Sequence, residues 1–500
     1  MTSLNLAEYA SGAQDNIPFH GANTMDELGS LQKALEAQQI TGRETANSLT
    51  ASGSPLKVES LDKVLKVVTF QEKDIVSWKV FPKDKAFNTV EEFNQVDSYG
   101  LDNGGFILEG ETPESNDSTY IRRAQFVKFM GVTRSVTHVM TLVNSVVSNV
   151  IDQYTKEGTL WLLRQLDRAL FFSDSRLDPT QFNGLFAQHE THDGSAYVYG
   201  SEINYLNSEL VVDMRGQILS PNAVERAAEN IAENFGMSDT LFGPPRIFSR
   251  YAEQFYPLQR QPVNGVSANT GTFGNNIPGQ STNFGEINFV KDIFLRRIAQ
   301  VDTASNTATS AKAPGNIVPD AVTPLALVPA TVTNSKWAVS DAGIYTWGVK
   351  AVNRFGKSAL VVLTATPITL VANAAADLKF AAAGAGEAAT SFEIYRSVGG
   401  SITLFNHVFT ISTAQLASGH NGGAAGVVRD LNRYMPNCDQ AFLIENTAPV
   451  HVYKQLAPLA KMDLAIISPA YRFMILQYGT AMLHAPKKAV RFINIGDLLP

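Results

Sequence analysis

Residues 139–172 read VMTLVNSVVSNVIDQYTKEGTLWLLRQLDRALFF, and this stretch decides the fold. Apolar side chains recur in it every three or four positions, which places them along one face of an α-helix. The spacing predicts one helix over 139–172, with Gly158 as the candidate bend. At a rise of about 1.5 Å per residue it would be roughly 50 Å long, which is long for an ordinary globular domain.

The segment in front of this helix, 84–120, is strongly acidic and contains one cation, Lys85. Its middle carries the turn-forming Asn103-Gly104-Gly105, and the following YIRRAQFVKFMGVTRSVTHV (120–139) alternates as a strand does. These features predict a long β-hairpin arm. A solvated acidic loop is the alternative, because runs of charge often mark exposed surface.

Other parts of the first 320 residues show clear element boundaries. Residues 24–40 and 221–235 combine helical spacing of apolar residues with capping residues in the first turn. Polar stretches at 262–285 and 302–316 predict a loop and a flexible linker. The linker indicates a domain boundary near 305–320.

Past this linker the pattern changes to short alternating strands. Examples are IYTWGVKAVN (344–353), SFEIYRS (391–397) and SITLFNHVFTI (401–411). Short strands at regular spacing predict a β-sandwich. Mixed helix and strand patterns return after Gly419, so the sandwich is predicted to be inserted into an α+β body.

Length and composition exclude several classes of protein. Five hundred residues form more than one compact domain, and the charged fraction of 17% is low, which suits large contact areas. A formal net charge of −7 opposes sustained contact with phosphate backbones. The single cysteine, Cys438, allows no intrachain disulfide. Neither a membrane-spanning apolar run nor a secretion signal is apparent, so we expect neither membrane insertion nor secretion.

Three motifs were weighed as sites of chemistry. Phe355-Gly356-Lys357-Ser358 matches the end of a phosphate-binding loop, but Ala351 stands where that loop needs glycine, so a turn between strands is predicted. His189-Glu190-Thr191-His192 is one residue short of zincin spacing and predicts a solvated turn. Cys438 is expected to be buried or partly buried. The sequence therefore assigns no catalytic residue, no cofactor and no metal ligand.

The order of these elements resembles that of the major capsid proteins of tailed double-stranded-DNA bacteriophages, with the Hong Kong 97-like fold. That family has an N-terminal arm, an extended two-stranded loop, a long spine helix in a peripheral domain, an axial domain and a return strand. The resemblance implies an α+β fold with an inserted all-β sandwich similar to immunoglobulin-like or fibronectin-like modules. The implied boundaries are 1–83 for the N-terminal arm and the start of the peripheral domain, 84–136 for the extended hairpin loop, 137–185 for the peripheral domain with the spine helix, 186–318 for the axial domain, 319–415 for the immunoglobulin-like insertion, and 416–500 for the axial remainder and a closing peripheral strand.

The resemblance implies a structural protein, not an enzyme, that assembles with itself into the pentamers and hexamers of an icosahedral head. Double-stranded DNA would be enclosed without sequence-specific binding, and portal, scaffold and decoration proteins are further candidate partners. Assembly would take place in the host cytoplasm and the product would be the virion. A phage tail tube or sheath protein, an adhesive carbohydrate-binding surface protein and a hydrolase with an accessory sandwich are the alternatives.

Contacts between subunits are expected to join the acidic arm of one copy to basic groups of a neighbouring copy. The candidate residues are Glu109, Glu111, Glu114, Arg122, Arg123, Lys128, Arg164 and Arg168. Some shells of this family are cross-linked through a lysine on the arm. No lysine occurs between residues 86 and 127, so a non-covalent shell is predicted.

Overall fold

The helix predicted at 24–40 and the candidate contact Glu114 lie outside the residues that the structure describes. The computed structural model describes residues 69–100, 106–112, 115–142, 149–189, 210–255, 277–296, 301–302, 308–329, 332, 334–384, 386–397 and 401–497.

Helices and strands are mixed along the described chain. The α-helices of these residues are α1 (Ser77–Val80), α2 (His138–Leu142), α3 (Val150–Phe172), α4 (Leu185–His189), α5 (Pro221–Glu233), α6 (Pro245–Glu253) and α7 (Thr413–Ser418). Short 3-10 helices span Glu72–Asp74, Ile293–Leu295, Val339–Asp341 and Pro486–Lys488. The strands are β1 (Lys83–Lys85), β2 (Val90–Ser98), β3 (Thr119–Phe126), β4 (Lys128–Thr137), β5 (Val211–Asp213), β6 (Thr240–Gly243), β7 (Gly279–Thr282), β8 (Gly285–Lys291), β9 (Val301–Asp302), β10 (Val318–Pro319), β11 (Leu325–Val328), β12 (Gly343–Tyr345), β13 (Trp347–Asn353), β14 (Gly356–Lys357), β15 (Val361–Val362), β16 (Ile368–Leu370), β17 (Ala375–Ala381), β18 (Ser391–Ser397), β19 (Leu404–Ser412), β20 (Val427–Asp430), β21 (Asp439–Ile444), β22 (His451–Asp463), β23 (Ala470–Leu483) and β24 (Ala489–Ile495).

The long helix α3 packs against a four-stranded sheet in the order β1-β22-β23-β4. β23 pairs antiparallel with both β22 and β4. Leu162 of α3 is buried with Ile475 of β23 in one hydrophobic cluster. Gly158 faces the same strand, since a Cβ there would lie 2.8 Å from Cδ1 of Ile475. The glycine therefore allows helix and sheet to approach closely, and α3 continues through it.

The N-terminal end of α3 differs from the prediction. Asn149 has an extended backbone, and its Oδ1 accepts the N–H groups of Ile151 at 3.1 Å and Asp152 at 3.4 Å. This cap satisfies N–H groups that a continuous helix would bond internally, so α3 begins at Val150 and α2 is a separate helix. The prediction of one helix over 139–172 is therefore wrong at its start. α3 is about 35 Å long instead of roughly 50 Å.

A six-stranded sheet follows the order β5-β24-β21-β6-β8-β7. Ile231 of α5 and Tyr251 of α6 belong to the hydrophobic cluster that this sheet shares with the two helices. The helix predicted at 221–235 is confirmed as α5. Ser220 caps it, because its Oγ accepts the N–H of Ala223 at 3.2 Å.

One prediction about this part of the chain is wrong. The end of the predicted loop 262–285 is not a loop, because β7 and β8 pair there as an antiparallel hairpin. β22 and β23 lie in the sheet beside α3, whereas the last strand, β24, does not. It lies between β5 and β21 in the six-stranded sheet, and all seven of its residues are buried, as its largely apolar sequence requires.

Strands β9–β20 form a third group, called here the strand module. One sheet has the order β14-β13-β18-β19-β9 with β15 on β13, a second has β10-β17-β11 with β20 on β17, and β12 pairs with β16. Trp337, Trp347 and Phe392 are buried in its core. β9 lies before residue 319 and β20 lies after residue 415, yet both pair with strands of the module. The module therefore includes residues outside the predicted boundaries 319–415. The immunoglobulin-like assignment stays a prediction.

The second half of the predicted linker 302–316 is packed against the strand module. Thr309 N–H donates to the carbonyl oxygen of Lys357 at 3.0 Å, and Lys357 N–H donates to Thr309 Oγ1 at 2.8 Å. Ala313 is buried beside them. The small polar side chains that suggested flexibility instead fit closely against Gly356, so the linker prediction is wrong for 308–316.

A polar network fixes the strand module to the six-stranded sheet. Inside the module, Asp430 accepts hydrogen bonds from Nη1 of Arg396 at 3.2 Å and from Nε1 of Trp347 at 3.0 Å. Arg215, just after β5, donates to Oδ2 of Asp341 at 2.7 Å. Buried charges need such partners. The network therefore holds the module in a defined place.

Candidate assembly interface

The acidic segment forms a two-stranded arm, as predicted. β2 and β3 pair antiparallel, from Val90 opposite Phe126 to Ser98 opposite Thr119. Gln125 at the base of the arm is buried. β4, which the sequence places in the same extended loop 84–136, instead pairs with β23 in the four-stranded sheet. The arm proper is therefore built from β2, β3 and the residues between them.

The far end of the arm is described for 106–112, and it presents apolar side chains to solvent. Phe106, Ile107 and Leu108 are 101%, 54% and 77% exposed. Glu111 N–H donates to the carbonyl oxygen of Leu108 at 3.0 Å, and its carboxylate accepts the N–H of Leu108 at 3.1 Å, which closes a turn. Glu109 is exposed within this turn. Residues 106–111, called the tip, combine apolar side chains with carboxylates.

Three of the predicted basic contacts are engaged by their own chain. Arg122 Nη1 lies 3.4 Å from Oε2 of Glu92 on the paired strand. Lys128 Nζ donates to the carbonyl oxygen of Pro179 at 2.7 Å. Arg123 is buried, which argues against a contact with another copy. Its inward position follows from the alternation of faces along β3, which a count of charges does not reveal.

Arg164 and Arg168 are the two predicted contacts that lie together, one turn apart on α3. Their guanidinium groups lie over aromatic rings, 5.3 Å from the ring centre of Phe70 and 5.4 Å from that of Phe172. Within the described residues neither forms an ion pair with a carboxylate. Stacking on a ring leaves guanidinium N–H groups able to donate to a further partner.

Arg164 and Arg168 line a cavity of about 1180 Å³ between α3 and the strand module. Arg296, which follows β8, and Arg354, in the turn between β13 and β14, line the same cavity. We call it the arginine cleft. Apolar side chains complete its walls, among them Trp161, Phe172, Ile293, Phe294, Val352 and Phe409.

Four carboxylates line the arginine cleft. Asp178 accepts hydrogen bonds from Thr180, and the other three are paired with cations of the chain. These pairs are Asp174 with Arg176 at 2.6 Å, Glu393 with Lys357 at 2.6 Å, and Asp430 with Arg396 at 3.2 Å. Arg433 and Arg491 also line the cleft, which brings its arginines to six. The four carboxylates therefore compensate this positive charge only in part. Such a surface attracts an anionic partner.

The electrostatics of Arg168 illustrate this imbalance. Burial lowers the pKa of its guanidinium, the carboxylate of Glu393 opposes that change, and the positive charge of Arg164 adds to it. An arginine nevertheless remains protonated in proteins. Arg168 thus keeps its charge in a partly desolvated place, where an incoming carboxylate would stabilise it.

Asp167, next to Arg168 in the sequence, is fully buried. Its Oδ1 accepts the N–H of Trp78 at 2.6 Å, while nearby Asp292 accepts a hydrogen bond from Ser77 Oγ at 2.5 Å. Burial, followed by the negative charge of Asp292, raises the pKa of Asp167 to about 8. Asp167 is therefore protonated at neutral pH.

The three motifs considered as candidate sites of chemistry lie where their side chains serve the fold. Phe355-Gly356-Lys357-Ser358 lies in the predicted turn between strands, where β14 pairs with β13. Cys438 is buried, as predicted. His189 is fully buried and its Nε2 lies 2.9 Å from the carbonyl oxygen of Ala489, so the prediction of a solvated turn is wrong there. Glu190 to His192 lie outside the described residues.

The described part of the chain contains no group of three or more histidine, cysteine, aspartate or glutamate side chains arranged to hold a metal ion. None of its helices is both long and apolar enough to cross a bilayer.

Comparison with known proteins places these features in context. No protein-family model matches the chain. The major capsid proteins of Staphylococcus phage S25-3 and Staphylococcus phage K are each 21% identical to it over 453 residues, which cover 88% of this chain and 90% of each relative. Among solved structures, the capsid of cyanophage P-SCSP1u is similar with a TM-score of 0.40 and 8% identity, over 90% of this chain and 99% of that one.

The similarity to the curated relatives runs through nearly the whole length of both chains. The aligned part is 453 residues long and covers 88% of this chain. The α+β, Hong Kong 97-like fold predicted from the sequence is confirmed, as is the predicted structural role. The chain is a homologue of the phage major capsid proteins and serves as a structural protein of the capsid.

Proposed function

We propose that copies of this chain associate into pentamers and hexamers, and that these close into the icosahedral shell of a phage head around double-stranded DNA. The observation that carries the proposal is the exposed tip of the arm. Phe106 is fully exposed, so its ring packs against nothing in the described part of its own chain. Contiguous exposed apolar side chains mark a surface that another molecule covers.

The arm supplies the acidic half of this contact. We propose that Glu109, Glu111 and Glu114 approach Arg164 and Arg168 of a neighbouring copy. Exposed ion pairs contribute only about 0 to 1 kcal/mol each, but a closed shell repeats each contact many times. Arg122 is a further candidate because it is exposed, and Lys128 could join it by exchanging its present acceptor.

The remaining roles rest on the net charge and on the resemblance to phage major capsid proteins. With a net charge of −7, the chain would enclose DNA without binding it specifically. Portal, scaffold and decoration proteins are the other partners that we infer, with assembly in the host cytoplasm and the virion as the product. The strand module is interpreted as an immunoglobulin-like insertion, and no catalytic step is assigned to the chain.

Electron microscopy and size-exclusion chromatography of the purified protein test this proposal. The protein would be produced alone and then together with candidate scaffold proteins. Pentamers, hexamers or closed polyhedral shells are expected. Tubes would instead indicate a tail tube or sheath protein, and a persistent monomer would contradict self-assembly and favour an adhesive surface protein.

Charge reversal tests the role of the arm. The variant E109K/E111K/E114K should form fewer shells, because it places like charges opposite one another in the proposed contact. The variant E229K/E233K, which reverses two exposed carboxylates of α5, is the control. Normal shells from the arm variant would contradict the proposed pairing.

The shell should also be non-covalent. No lysine lies between residues 86 and 127, so the arm offers no amine for an isopeptide bond. Particles boiled in detergent should run as single chains on a gel. A ladder of linked subunits would contradict this expectation.

A further inference from the structure

We infer that the arginine cleft of one copy receives the tip of the arm of a second copy, so that the strand module forms one wall of the contact between copies. This inference rests on the proposed self-assembly and specifies where the arm ends. Phe106, Ile107 and Leu108 enter between the apolar walls of the cleft. Glu109 and Glu111 meet its arginines.

The tip is shaped for insertion. Its turn is closed by the two hydrogen bonds between Leu108 and Glu111, so the tip is ordered before it binds and loses little freedom on binding. Gly110 has a φ of +86° and no atom near the position of a Cβ, which leaves the turn narrow. Apolar side chains and carboxylates are adjacent in this short segment, so any partner must offer both kinds of surface.

α3 offers both kinds of surface at helical spacing. Trp161, Arg164, Arg168 and Phe172 follow one another at intervals of three or four residues, which places them on one face of the helix. All four line the cleft. Apolar and basic side chains thus alternate along one wall, which complements the composition of the tip.

The strand module supplies the opposite wall. Arg354 and Val352 come from the β13–β14 hairpin, and Phe409 comes from β19. The module is held in place by the hydrogen bond between Arg215 and Asp341. This hydrogen bond ties the module to the six-stranded sheet, and the module contributes one wall of the inferred contact.

Other occupants satisfy only part of the cleft. A phosphate-bearing ligand would neutralise the arginines but leave Trp161, Phe172 and Phe294 without an apolar partner. An uncharged apolar peptide would fill the walls and leave the arginines uncompensated. The tip has both features, and its own chain leaves it exposed. A second copy of the chain is therefore the occupant that the chemistry favours.

Cysteine cross-linking of assembled particles tests the placement. The variant L108C/I293C puts one thiol on the tip and one on the wall of the cleft, while the native Cys438 is buried. On mild oxidation, non-reducing gels should show a ladder of linked chains. Both single variants and L108C/M237C, whose second thiol lies on an exposed residue outside the cleft, should remain largely unlinked.

Charge exchange tests the chemistry independently. E109K and R164E should each reduce the assembled fraction by about threefold or more, and the chain with both changes should recover most of it. Glu111 is left unchanged, because its carboxylate closes the turn of the tip. Circular dichroism of the unassembled chains checks that each variant folds. A double variant that assembles no better than either single variant would overturn the inference.

The two proposals can fail separately. Absence of shells from the wild-type chain, alone and with scaffold proteins, would overturn the proposed function and this inference with it. Wild-type shells combined with an unlinked L108C/I293C variant, or with equal linking of L108C/M237C, would overturn only the inference.

Discussion

The buried carboxyl group of Asp167 should make the stability of the fold depend on pH. Replacement by asparagine keeps a carbonyl oxygen that can accept the N–H of Trp78, but it removes the ionisable group. Asp167 has a pKa of about 8 in the native state, raised by burial and by Asp292, against roughly 3.9 in an unfolded chain. Between these values the native state holds a proton that the unfolded chain has released.

The sign of the effect follows from this difference. Unfolding releases a proton, so the free energy of unfolding falls by roughly 1.4 kcal/mol per pH unit as the pH rises toward 8. His451 acts in the opposite direction below about pH 6.5, because burial lowers its pKa to about 3. The contribution of Asp167 is therefore clearest between pH 6.5 and 8, where it amounts to at most about 2 kcal/mol.

Urea unfolding of the unassembled chain at pH 6.5 and pH 8 measures this contribution. The wild type should lose up to about 2 kcal/mol across the interval, and D167N should lose much less. Other titrating groups cancel in the difference between the two proteins. E233Q, a change at an exposed carboxylate of α5, is the matched control. Parallel losses for the wild type and D167N would refute the reasoning.

Three further predictions concern the core. L166A should lower the free energy of unfolding by about 2 to 5 kcal/mol, because Leu166 is fully buried where α3 packs against both large sheets. A loss below about 1 kcal/mol in urea unfolding would contradict this. H451Q should remove the part of the pH dependence that comes from His451, so its free energy of unfolding should rise relative to that of the wild type as the pH falls from 6.5 toward 4; a constant difference between the two proteins in thermal melts would argue against it. R396M should lower the free energy of unfolding by about 3 to 5 kcal/mol, because it leaves Asp430 as a buried charge without its partner. Adding D430N should recover part of that loss. Strictly additive losses in the double-mutant cycle would show that the pair does not act as a unit.

The start of α3 shows which part of the fold the sequence specifies. Val143, Val146 and Val150 keep helical spacing, so periodicity alone extends the helix across Asn149. The capping role of Asn149 depends on its extended backbone, which apolar periodicity does not reveal. Periodicity thus predicts the existence of an element better than its end. The same limit applies to β24, whose apolar sequence predicts burial but not which sheet buries it.

The contact surfaces show a related limit. Arg164 and Arg168 could be selected from the sequence because they are neighbours on one helix. Arg296 and Arg354 could not, since they enter the same cleft from segments far away in the chain. A usable signal was present for Arg354, because an exposed arginine beside Phe355 in a tight turn is an unusual surface feature. The fold as a whole brings residues that are distant in the sequence into one cleft, so local patterns in the sequence do not predict it.

The tip and the arginine cleft together determine what kind of assembly this chain can form. The tip of one copy is exposed, so it does not fill the cleft of its own chain. The two surfaces differ in chemistry, and neither is complementary to itself. A contact between them is therefore head-to-tail, and each copy has one tip and one cleft to offer. Head-to-tail contacts generate rings when the rotation between copies closes and open filaments when it does not. The angle between arm and cleft would then decide between a closed ring and a tube.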